Sequence, residues 1–197
     1  MIYYTADWHF GHANIIRLSN RPFTSVDEMD RALIANYNMV VTNADTVYIL
    51  GDVSFRSFDE IKPILHKLKG TKHLILGNHD KGLRRNPDVT KYFASVSDIL
   101  EIRDGANKVV LCHYPMLAWN GQFGGAANIF GHIHNNTGDS GFEALESLNA
   151  YNAGVDVNGY MPVTFEELVK NKEKFYDKLH SINHTITESK HSVELEP

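Results

Sequence analysis

The sequence predicts one α/β domain built from layered strands and helices. Short apolar segments rich in β-formers alternate with helical segments that open on capping residues. Each of five apolar segments also stops, within a residue or two, at an Asp, His or Asn. Open α/β sheets place their sites in that way, at the carboxyl ends of strands. A length of 197 residues suits a single domain. The domain is expected over 1–180, with a loosely held polar tail over 181–197, where hydrophobic periodicity is absent.

Ile2 to Ala6 reads as a buried strand, too short for a helix, and runs into Asp7-Trp8-His9. A short helix is expected from Ala13 to Leu18. Ser25 and Glu28 form a capping box ahead of the helical pattern Met29 to Val41. Thr46 to Leu50 is the second strand and ends at Gly51-Asp52. Ser57 and Glu60 repeat the capping box before Ile61 to Leu68, which Gly70 ends. Pro63 falls in the first turns, where a missing N–H does least harm. His73 to Leu76 leads to Gly77-Asn78-His79-Asp80. Ala94 to Ile102 reads as one further strand. Val109 to Cys112 delivers His113, and Asn128 to Phe130 delivers Gly131-His132-Ile133-His134. Ala150 to Val157 is expected as the last strand. Thr164 and Glu167 then open a helix towards Leu179.

Composition narrows the function classes. Hydrophobic content of 43% and charged content of 22% are ordinary for a soluble domain. A net charge of −5 argues against broad nucleic-acid binding, which needs a dense Lys/Arg surface. Nucleic acid is therefore a disfavoured partner. Lys81, Arg84 and Arg85 make one local basic cluster, read as a solvated turn or as a phosphate contact. Cys112 is the sole cysteine, so no internal disulfide forms, and a cytoplasmic location is expected. No apolar run approaches the roughly 20 residues of a membrane span, so no membrane partner is expected. No leader pattern precedes Asp7, and the functional chain is expected to begin at Met1.

The five polar motifs carry the chemistry. Asp7 and His9 lie two apart, so at a strand end both are expected to face one side and reach one cation. His132 and His134 repeat the spacing. Asp52 has two carboxylate oxygens and can bridge two metals. Asn78 offers a neutral oxygen, and His79 suits a general acid near neutral pH. Any one of these residues is more simply a turn or rim group. Five of eleven histidines (His9, His79, His113, His132, His134) sit in such positions, and the series as a whole points to metal-assisted hydrolysis. Nitrogen and oxygen donors without thiolate suit Mn²⁺, Fe, Zn²⁺ or Ni²⁺.

The order Asp-x-His, Gly-Asp, Gly-Asn-His-Asp, His, Gly-His-x-His resembles the calcineurin-like metallophosphoesterase family. Asn152-Ala153-Gly154-Val155-Asp156 and Pro162 resemble the closing strand of its small bacterial and phage members. Asp7-Trp8-His9-Phe10-Gly11-His12 with Asn14-Ile15-Ile16 is similar to a subgroup of short phage and bacterial phosphoesterases. The resemblance implies a four-layer αββα sandwich and two divalent metal ions, with Mn²⁺ placed first and Mg²⁺ also open. It implies Asp7, His9 and His134 on one ion, Asn78, His113 and His132 on the other, and Asp52 bridging. A hydroxide between the ions would attack phosphorus, and His79 would serve the leaving oxygen.

Some relatives place an orienting Asp where this chain has Phe55, so Asp80 or a water is the alternative partner for His79. Arg56 matches a phosphate-contacting Arg of one branch, or is a surface Arg before the Ser57 cap. His12 is a candidate substrate contact, or a locally bonded helix-start residue. Tyr114 to Asn128 is read as a rim; Trp119 and Phe123 pack beneath it or stack on a base. The expected substrate is a small phosphodiester, nucleotides included, ahead of a phosphomonoester. A nuclease and a non-catalytic metal-binding scaffold are the alternatives. The oligomeric state is not legible.

Overall fold

The computed structural model describes residues 1–136 and 144–177. The tail expected over 181–197, and the last helix beyond residue 177, lie outside the described residues. The element order is β1 (Ile2–Thr5), α1 (Ala13–Leu18), α2 (Val26–Val40), β2 (Thr46–Ile49), α3 (Phe58–Lys67), β3 (Thr71–Ile75), α4 (Lys81–Arg85), β4 (Ser95–Ser97), β5 (Ile99–Asp104), β6 (Asn107–Cys112), β7 (Ala127–Phe130), α5 (Ala144–Ser147) and β8 (Ala150–Asn152). A helix over residues 165–177, α6, follows.

Two four-stranded sheets form, in the orders β1-β2-β3-β4 and β5-β6-β7-β8. The first is parallel throughout. The second pairs β5 with β6 antiparallel and is otherwise parallel. Period-two alternation assigns each side chain of the first sheet to a layer. Tyr3, Val47, Ile49 and Leu74 face a helix-side core with Met29, Leu33 and Tyr37 of α2 and Ile61 and Leu65 of α3. Tyr4, Leu50 and Ile75 face the second core, against Val109, Leu111 and Ile129 of the other sheet. Phe130, Ile133, Leu145 and Ala150 make a smaller outer cluster, with Trp119 packed on it. The layers thus run helix, sheet, sheet, helix, with a thin outer cover.

Capping decides where α2 and α3 begin. The Ser25 side chain accepts from the Glu28 N–H, and Ser57 with Glu60 closes a full capping box. Both helices start before their apolar pattern does, because the capping turn precedes the first buried position.

Two expected strands are corrected. The run Ala94 to Ile102 is not one strand. It bends at Asp98, so that β4 completes the first sheet and β5 opens the second. The alternation continues across the bend and hides the change of sheet. The run Ala150 to Val157 keeps only β8. Beyond it Gly154 makes a single bridge to Ala6, and 155–160 turn tightly. That bridge joins the carboxyl ends of the two sheets where the five motifs lie.

Candidate metal centre

The motifs meet at that shared end. Ligand atoms of Asp7, His9 and His134 lie within 4.8 Å of one another, and so do those of Asp52, His113 and His132. Asp52 Oδ2 stands between the groups, 3.6 Å from His9 Nε2 and 3.6 Å from His113 Nε2. Asn78 Oδ1 is 3.0 Å from His113 Nε2. His79 Nε2 is 4.0 Å from Asp52 Oδ2, and the His79 backbone N–H donates to Asp52 Oδ1.

The way the chain presents these groups differs from the sequence expectation. Asp7 and His9 do not reach one side through strand alternation. β1 stops at Thr5, and Asp7 and His9 have φ of 59° and 53°. Among the described residues, seven non-glycines have positive φ, and five are candidate ligands: Asp7, His9, Asp52, His132 and His134. Left-handed backbone costs an L-residue about 1–2 kcal/mol, and such strain gathers where function demands a geometry. Close approach does the rest. A Cβ on Gly77 would stand 2.3 Å from Asp52 Oδ1, and one on Gly131 2.8 Å from Asp7 Oδ2.

The donor set fits divalent cations. His113 Nδ1 donates to the Leu50 carbonyl at 2.7 Å, which leaves Nε2 as a lone pair. That lone pair faces the Asn78 oxygen at 3.0 Å and the Asp52 carboxylate. His134 Nδ1 donates to Asp156 Oδ2 at 2.7 Å, and its Nε2 faces His9 Nε2 at 3.2 Å. In the second group acceptors converge, an arrangement a cation relieves; in the first, His9 Nε2 and His134 Nε2 face each other across a gap that one proton or one cation fills. Burial drives the Asp7 carboxyl up to about 6 against the pull of His134 and His113. Burial drives His9 down to about 2, so its imidazole is neutral and ready to coordinate. Burial also lowers His132. For His134 burial is outweighed by Asp156 and Asp7, and the net direction is up.

A cleft of about 390 Å³ opens over both groups. His9, His12, His79, His132 and His134 line it, with Ile15 and Leu18 as an apolar wall. His12 is thus brought to the site. Its ring stacks on Phe55 at 3.7 Å, and Phe55 in turn lies 4.6 Å from the His79 ring.

Two expected site residues are not brought there. Asp80 is buried, and its carboxylate accepts the backbone N–H groups of Asp52, Val53 and Gly77. It holds the β2 and β3 loops together rather than orienting His79. Arg56 pairs with Asp30 at 2.7 Å and lies over Gly11, which the ion pair and the packing explain. In the expected rim, Trp119 packs inward and donates to the Ala126 carbonyl, while Phe123 is fully exposed. Arg84 pairs with Asp98.

Sequence reasoning missed Arg21 and Asp156. Asp156 stood inside a stretch singled out for its resemblance, but nothing in its spacing pointed to His134. Arg21 gave no signal at all.

The family model of the calcineurin-like phosphoesterases matches residues 1–158. The chain belongs to the calcineurin-like phosphoesterase family. This phosphoesterase is 36% identical over 175 residues to the uncharacterised protein MJ1445 of Methanocaldococcus jannaschii, covering 88% of this chain and 92% of that one. It is 32% identical over 162 residues to the Gene 66 protein of Mycobacterium phage L5, covering 67% and 76%. Among solved structures, a protein of unknown function, AQ665 of Aquifex aeolicus, superposes with a TM-score of 0.68 at 27% identity, covering 86% and 98%. An archaeal phosphodiesterase shares the fold at a TM-score of 0.50 and 18% identity, covering 85% and 94%.

Proposed function

We propose that this member of the family is a two-metal phosphoesterase that hydrolyses a small phosphodiester, nucleotides included. The observation that carries the reading is the pair of lone-pair clusters sharing Asp52. Asp7, His9 and His134 would hold one divalent ion, Asn78, His113 and His132 the other, and Asp52 both. Such ions supply Lewis acidity and activate water for in-line displacement. Mn²⁺ suits this imidazole and carboxylate set, with Fe, Zn²⁺, Ni²⁺ and Mg²⁺ as alternatives. His79 has its ring at the mouth of the cleft. It donates a proton to the leaving oxygen as the phosphorus–oxygen bond breaks. His12 lines the same cleft and contacts the substrate's phosphoryl oxygens.

A diester is favoured because the cleft is open and of nucleotide size; ligand sites generally span about 300–1,000 Å³. The single buried cysteine suits a reducing, cytoplasmic setting.

The test compares bis-p-nitrophenyl phosphate with p-nitrophenyl phosphate under several divalent ions. Wild type is expected to prefer the diester with Mn²⁺. Asp52→Asn is expected to abolish turnover, since Asn tolerates the left-handed backbone and removes only the bridging charge. His79→Ala is expected to lose about 10²–10⁴ in kcat with its metal content intact. Unchanged turnover in Asp52→Asn, or fewer than one bound ion per wild-type chain, would sink the reading.

A further inference from the structure

We infer that the buried pair Arg21–Asp156 is the positioning device for one of the two metals, the ion assigned to Asp7, His9 and His134. The inference rests on the two-metal reading above.

Both side chains are fully buried. Arg21 Nε donates to Asp156 Oδ1 at 2.8 Å, and Nη2 to Oδ2 at 3.0 Å. The same guanidinium donates from Nη2 to the Asp7 carbonyl at 2.7 Å and from Nη1 to the Trp8 carbonyl at 2.9 Å. Asp156 Oδ2 also accepts from His134 Nδ1 at 2.7 Å. One planar fork therefore touches three turns: the one after α1, the one after β1 and the one after β8.

A fold-stabilising role explains this poorly. Taking two charges out of water offsets most of their attraction, and well-packed apolar residues often hold a core equally well. What the pair does supply is geometry. The two carbonyls it fixes belong to the turn in which Asp7 and His9 are left-handed, with φ of 59° and 53°. The carboxylate it anchors fixes the His134 tautomer, so that Nε2 presents its lone pair to the site. Arg21 thus acts on all three members of one group: the backbone of Asp7, the approach to His9 through Trp8, and the ring of His134 through Asp156. The second group is held differently. His113 Nδ1 leans on the Leu50 backbone carbonyl and needs no side chain. Arg forms this fork and Lys does not, because only a planar guanidinium can serve two carboxylate oxygens and two carbonyls together.

The consequence is selective. Asp156→Asn should weaken one ion by about 10–100-fold and leave the other at its wild-type affinity. The experiment strips the full chain with chelator and titrates Mn²⁺ by calorimetry. Paramagnetic resonance then reads whether the bound ions are coupled. Wild type is expected to bind two ions with a coupled spectrum. Asp156→Asn is expected to keep its circular dichroism, to melt at a lower metal-free Tm because the buried Arg21 loses its counter-charge, to bind one ion tightly, and to show the spectrum of isolated Mn²⁺. Two ions bound at wild-type affinity with a coupled spectrum would overturn the inference and leave a folding ion pair. If Asp156→Asn does not fold, Arg21→Lys carries the test: the same selective weakening supports the inference, and unchanged affinity overturns it. A wild-type chain that binds no ions fails the two-metal reading itself, which is a separate outcome.

Discussion

Individual ligands carry their strain and their charge together. Asp7 is fully buried, left-handed, and pushed by burial up to about 6 from a reference of 3.8. The sign of its pH dependence follows. A carboxyl whose folded pKa is raised favours folding while it is protonated. In the metal-free protein that contribution is complete below about pH 4 and is lost as pH rises through about 6. Cation binding has the opposite preference, since the ligand must be ionised. Mn²⁺ affinity is therefore expected to fall about tenfold per pH unit below about 6, while in chelator-treated protein the Asp7 contribution to the Tm falls as pH rises from 4 to 6 and the buried, neutral His9 contributes in the opposite direction. Calorimetric titration and thermal melts across that range check both. At this scale the sequence was legible in residue type and opaque in conformation. Asp7, His9, His132 and His134 could be picked out by pattern, but two-residue spacing suggested strand alternation where the backbone uses left-handed turns. Arg21 and Asp156 were invisible as partners, because their contact spans 135 residues; the stretch that holds Asp156 gave no sign of His134, and Arg21 belongs to no motif.

Elements deliver the site through the places where they stop. β2 and β3 end on Gly51-Asp52 and Gly77-Asn78, and the two glycines let these ends touch. A Cβ on Gly51 would meet the Gly77 backbone at 2.6 Å, and one on Gly77 would meet the Asp52 backbone at 2.6 Å. Gly77→Ala is expected to displace Asp52 and cut turnover and metal loading together, leaving the circular dichroism spectrum of the sheets unchanged. Parallel loss of activity and bound Mn²⁺ is the result to look for; activity lost at full metal content would contradict it. Strand positions and helix starts were legible because apolar alternation and capping boxes are local signals. The break at Asp98 was not, since β4 and β5 alternate alike and only their partners differ. The fate of Asp80 was equally hidden. Two of its three backbone N–H donors come from the end of another strand, β2, and the third from its own loop.

The whole molecule places its ligands on both sheets. Asp7, His9, Asp52 and Asn78 follow strands of the first sheet, and His113, His132 and His134 follow strands of the second. Metal held there would cross-link the sandwich at one end. At the other, the buried Tyr4 hydroxyl donates to Asp104 at 3.0 Å and ties β1 to β5. Ligands that bind only the folded state stabilise it by mass action, about 2.7 kcal/mol at a hundredfold excess over Kd. Chelation is therefore expected to lower the Tm by several degrees, and returning Mn²⁺ to restore it. A Tm indifferent to metal would place the ions outside the sheet junction. The layered class was legible from alternation and caps. The thin outer cover was not, because α5 is a single turn with no periodic signal.

The left-handed ligand turns also limit how this chain can drift. At Asp7, His9, Asp52, His132 and His134 the backbone screens substitutions before the chemistry does. Small polar residues and glycine pass that screen, and β-branched residues fail it. A lineage that gives up hydrolysis will therefore cross these positions through Asn, Asp or Gly. Its descendants will keep the bends of an active centre after the donors are gone, so the outline of the site outlives its activity.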